Sequence, residues 1–138
     1  MTITEIYRLI GDISLSKVEV NSYHTTNPYT AYNQPDVKYS AVAVEFNSCR
    51  IDEYVKTYSG VLYYANRLLE SGENNFLIQE VATNTIVDII KDIEATDDIV
   101  NVSIGDITFF NQKFIDYLAG AYCTIQITVP INNCNRME

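Results

Sequence analysis

The chain has 138 residues, 47 % of them hydrophobic and 20 % charged, which is the length of one domain and a composition that builds a core. Eighteen acids against nine bases give a net charge of −9, and the bases stand singly from Arg8 to Arg136, so a groove of clustered Lys and Arg that grips phosphates is not expected. No apolar run approaches the roughly 18 residues of a membrane span, and Met1-Thr2-Ile3-Thr4-Glu5 lacks the basic and apolar regions of a signal peptide, so synthesis in the cytosol is expected.

Thr2-Ile3-Thr4-Glu5 is a capping box, a Thr with Glu three residues on. Ile3, Ile6, Tyr7, Ile10 and Ile13 follow at helical spacing and predict a helix near 3–14. From Lys17 to His24, Val18 and Val20 on one face predict a short strand. Asn27-Pro28 and Gln34-Pro35-Asp36 make 25–38 a long polar loop with few expected internal partners.

Tyr39 to Phe46 alternates, with Val42, Val44 and Phe46 on one side. Residues 54–68 form a tyrosine-rich strand. One face carries Tyr54, Tyr58, Leu62 and Tyr64, and the other Val55, Val61 and Tyr63. Two apolar faces fit either a central strand or one with a face buried in a neighbour.

Ser71-Gly72-Glu73 breaks the strand and opens a second helix near 73–95. At 100° per residue, Ile78, Ala82, Ile86, Ile89, Ile90 and Ile93 fall within about a 120° arc. Glu73, Glu80, Lys91 and Glu94 fall opposite. Residues 70–98 hold eight acids against Lys91 alone, so this element carries most of the charge. A solvated face gives the plainest account of that stripe; a channel wall gives another.

Val100, Val102 and Ile104 alternate in a strand near 98–109, with a bulge expected at Gly105. Tyr117, Ala119, Ala121, Cys123, Ile125, Ile127 and Val129 then alternate until Pro130 ends the ladder. Phe109, Phe110, Phe114 and Tyr117 crowd the connection, as a local minicore or as a contact surface. A tail follows at 131–138. The order helix, three strands, helix, two strands predicts one α+β domain over 1–138, a largely antiparallel sheet of about five strands with two helices on one face.

Chemistry leaves few marks. No phosphate-binding glycine loop, zinc-protease motif or nucleophile elbow is present. Cys49, Cys123 and Cys134 are odd in number without metal-ligand spacing, and His24 is the single histidine. Asp88 with Asp92, and Asp97 with Asp98, are the carboxylate pairs on which a small metal- or ligand-binding enzyme domain would rest. The balance favours a binding or structural role, with no catalytic residue, cofactor or metal expected.

Three stretches together resemble a known family. They are Val20-Asn21-Ser22-Tyr23 after a short helix with Tyr39-Ser40-Ala41-Val42-Ala43-Val44, the strand–helix segment Leu62 to Ile93 containing Thr83-Asn84-Thr85-Ile86-Val87-Asp88-Ile89-Ile90, and the ending with Phe109, Phe114, Leu118-Ala119-Gly120-Ala121-Tyr122, Val129-Pro130 and Cys134. The pattern is similar to small tail and neck proteins of Bacteroidetes phages, including crAss-like phages, of the tail-terminator or head–tail joining type. The resemblance implies an α+β virion protein without an active site. It implies rings of about six or twelve copies around the DNA channel, in contact with adjacent neck or tail proteins and binding neither DNA specifically nor membrane. Tyr54, Tyr58, Tyr64, Phe109, Phe110, Phe114 and Tyr117 are then the expected subunit interface. Glu73, Glu80 and Glu94 are the expected channel-facing acids.

Overall fold

The computed structural model describes residues 1–34, 36–69, 72–113 and 117–131. Helix α1 (Ile3–Leu15) starts at the expected capping box, with Thr2 Oγ1 accepting from Glu5 N–H at 3.2 Å. Strand β1 (Ser22–His24) is shorter than its sequence suggests. Residues 17–21 turn rather than extend, which leaves Val18 93 % exposed while Val20 turns into the core. The segment after it contains helix α2 (Pro28–Ala31), capped by Asn27 Oδ1 accepting from Thr30 N–H.

Strands β2 (Ala41–Ile51) and β3 (Val55–Arg67) form a long hairpin. Helix α3 (Asn75–Glu94) follows, then the edge strands β4 (Asn101–Ile104) and β5 (Thr108–Lys113), and finally β6 (Tyr117–Pro130). The fold is the expected α+β. Its six-stranded sheet runs β1-β2-β3-β6-β4, with β5 also on β6, and every pair but β1–β2 is antiparallel. Ile104 pairs with Ile125 and Thr108 with Tyr122. The edge chain thus takes four steps where β6 takes three. Gly105 N–H still bonds Thr124 O at 3.1 Å, so the extra residue lies after Gly105 rather than at it, and the single strand expected near 98–109 is divided there.

The chain packs on both faces of the sheet. On one face Val42, Val44, Tyr58, Leu62, Tyr64, Cys123, Ile125, Ile127 and Val129 meet Ile6 and Ile10 of α1 and the Ile78, Ala82, Ile86, Ile89, Ile93 stripe of α3. Each fully buried isoleucine there contributes about 1.5–3 kcal/mol. Among the described residues the other face is covered only at one end. There Ala31, Tyr32 and Val37 lie over Ala41, Ala43, Ala65 and Leu118. Three alanines form a floor low enough for the fully buried Tyr32, whose hydroxyl donates to Ala41 O at 3.2 Å. Segment 25–38 therefore has internal partners, contrary to the loop expected.

Two details fix how elements join. β2 carries a bulge between Phe46 and Ser48 opposite Gly60, and a Cβ at Gly60 would run into the Glu45 carbonyl. Between β3 and α3, Gly72 takes φ +71°. Asn74 then stitches the turn: its Oδ1 accepts from Leu69 N–H at 2.9 Å and its Nδ2 donates to Arg67 O at 3.2 Å. Among the described residues no helix is long and apolar enough to cross a membrane.

Candidate functional site

The aromatic residues expected at a subunit interface divide into three groups. Tyr58 and Tyr64 are core residues of the single chain, 9 % and 1 % exposed, because β3 lies between β2 and β6 and turns them under the helices. Tyr64 also donates its hydroxyl to Glu19 O at 3.2 Å. They are not available to a partner, which corrects the expectation for these two.

Phe110 is half-buried on the open face. Its ring stands 6.3 Å from Tyr122, which stacks on Tyr63 at 5.3 Å. That row is a local aromatic packing against the α2 segment. Phe114 lies outside the described residues.

Tyr54, Phe109 and Tyr117 remain on the surface, at 70 %, 50 % and 48 % exposure. They do not form one patch. Tyr54 O accepts from Ile131 N–H at one end of β6, and Tyr117 O accepts from Leu68 N–H at the other. The β6 span between these bonds is about 45 Å at roughly 3.3 Å per residue.

Each end carries more exposed apolar surface. Beside Tyr54, on the hairpin tip, is Ile51 at 70 %. At the Tyr117 end, Asn74 holds the start of α3 against the end of β3, and there Leu69, Phe76 and Leu77 are 51 %, 81 % and 63 % exposed. Phe76 and Leu77 were missed because attention to the isoleucine stripe treats the rest of the helix as polar. Two large apolar residues off the stripe were the available signal.

Glu80 and Glu94 lie on the outer side of α3 and are exposed. Glu73 is exposed too, but it precedes the helix, which begins at Asn75 rather than at 73. The inner stripe of α3 faces the sheet, so these acids point away from it.

Among the described residues the chemistry-bearing groups do not converge. Asp92 is ion-paired with Lys17 across the α1–α3 junction. Among the described residues no three His, Cys, Asp or Glu side chains gather to hold a metal. His24 Nε2 lies 3.1 Å from Ser22 Oγ, but the Ser22 hydroxyl donates to Lys38 O at 2.7 Å. The ring therefore donates to Ser22 rather than accepting its proton, the reverse of a nucleophile–base pair. Burial lowers the His24 pKa and pushes the Cys123 thiol up to about 11. That thiol stays protonated and unreactive at neutral pH. A cavity of about 240 Å³ between the end of α3 and β4 is lined by Glu94, Ile99, Val100, Asn101 and Val102. Its one charged group has no second group to act with.

What the geometry offers is surface: apolar residues at both ends of the sheet and an acidic flank on α3. No protein-family model matches the chain, and no curated protein matches it.

Proposed function

We propose that this chain is a structural subunit of a phage virion that closes into a ring in the neck or tail, as a tail terminator or head–tail connector. The carrying observation is the placement of exposed apolar residues at opposite ends of one sheet, with an acidic flank on α3. Ile51 and Tyr54 stand at one end, and Leu69, Phe76, Leu77 and Tyr117 at the other. Surfaces at opposite ends suit a subunit stacked between a neighbour above and a neighbour below. A ring needs a further pair of unlike surfaces that close head to tail.

In the ring Glu80 and Glu94, with Glu73 beside the helix, face the channel. Acid along the wall repels phosphates, so DNA slides through without binding. Electron microscopy of the purified protein tests the assembly. Closed rings with a central opening support it, and single chains contradict it. Virions carrying Glu80→Lys with Glu94→Lys test the wall: DNA ejection slows if these acids line the channel, and unchanged ejection places them elsewhere.

A further inference from the structure

The sheet face opposite the helices has a step in it. The α2 segment covers Ala41 and Ala43, and the Ala43 rung continues across the sheet through Tyr63 to Tyr122. The next rung is Glu45, Val61 and Thr124. Glu45 and Val61 are half-buried and Thr124 is exposed, so Glu45 stands at the foot of the step.

Register sets what surrounds it. Glu45 lies diagonally across from Tyr63 on the same face, a spacing that long side chains bridge. Tyr63 and Tyr122 stack with ring centroids 5.3 Å apart and planes 29° apart, so both rings rise from the sheet together. Burial pushes the Tyr63 pKa up, and Tyr122, Tyr29 of α2 and Glu45, all beside it, push the same way.

No base offsets these groups. None is among the neighbours that act on Tyr63. The two arginines of this face are directed elsewhere: Arg50 pairs with Asp52 at 3.4 Å, and Arg67 stands over the Tyr39 ring at 5.3 Å. His24, at the outer end of the Ala43 rung, lies against Ser22 and is kept neutral at pH 7 by burial. Among the described residues the Glu45 carboxylate and the Tyr63 and Tyr122 hydroxyls have no hydrogen-bond or ion-pair partner.

The corner therefore holds one half-buried carboxylate and two unused phenol oxygens, with Tyr29 at the rim. All of them accept hydrogen bonds, and an uncompensated carboxylate taken partly out of water is costly. A cation whose donors radiate from one point satisfies them together. A primary ammonium has that form. A guanidinium is a flat fork, and a quaternary ammonium has no donor at all.

We propose that this corner receives a lysine side chain of a partner protein, with Nζ donating to the Glu45 carboxylate and to the Tyr63 and Tyr122 hydroxyls. The site goes beyond the ring and does not depend on its closure.

NMR of the tyrosine ring signals, with N-acetyl-lysine methylamide as the probe, tests the site. In wild type the Tyr63 and Tyr122 signals shift and saturate at millimolar concentrations, the weak affinity that one charge-assisted contact sustains. The arginine analogue binds about fivefold more weakly. Tetramethylammonium chloride at the same ionic strength gives no saturating shift. Glu45→Gln keeps the shape and weakens lysine binding about tenfold. Tyr63→Phe with Tyr122→Phe weakens it about fivefold. Neither variant breaks a side-chain bond inside the described chain, so both keep the wild-type thermal midpoint. The site is overturned by the lack of a saturating shift in wild type, by an equal response to tetramethylammonium, or by unchanged lysine affinity in Glu45→Gln.

Discussion

Thr85 is fully buried in α3, and among the described residues its Oγ1 has no hydrogen-bond partner. A hydroxyl taken from water without compensation costs about 1–3 kcal/mol. Thr85→Val keeps the shape and removes the cost, so chemical denaturation will show a gain of about 1 kcal/mol. A loss would mean the hydroxyl has a role in the native state. His24 carries a second residue-level effect. Burial lowers its pKa below the ordinary 6.5, so the folded chain holds it neutral while the unfolded chain takes up a proton near that value. Its contribution to stability is complete above pH 6.5 and is lost as pH falls toward the folded-state pKa. Wild type will lose urea resistance across that window and His24→Gln will lose less; equal slopes would contradict the assignment.

At the scale of elements, much was legible where one period ruled one face. The α3 stripe and the α1 capping box stand where the residues place them. Reading failed where a face had two possible owners. Tyr58 and Tyr64 look like a contact surface in isolation, and only the pairing of β3 on both sides turns them into core. Helix α2 was hidden for a different reason. Asn27-Pro28 reads as a turn, yet Asn as cap and Pro as first helical residue is also a start signal. Tyr32 then finds a floor of alanines that lie on two distant strands. The hairpin gives the sharpest test of strand geometry. Gly60→Val drives a side chain into the Glu45 carbonyl at the β2 bulge. The predicted loss is about 1–3 kcal/mol, read by thermal denaturation. The Lys17–Asp92 pair, partly open to water, is worth less than about 1 kcal/mol when Lys17 becomes Ala.

For the whole molecule, charge and layering point the same way. Both long helices lie on one face, and the segment with eight acids and Lys91 alone runs through the outer side of α3. Copies closed into a ring with those flanks toward the channel bring the acids together, and the repulsion opposes assembly. Added salt screens it, so the assembled fraction rises with ionic strength; a fall would argue for contacts held by opposite charges. The central claim is that copies of this chain close on one another. Light scattering across a concentration series measures that directly. The account predicts a mass of about six or twelve times 15.7 kDa, constant once assembled. A mass of 15.7 kDa at every concentration would contradict it.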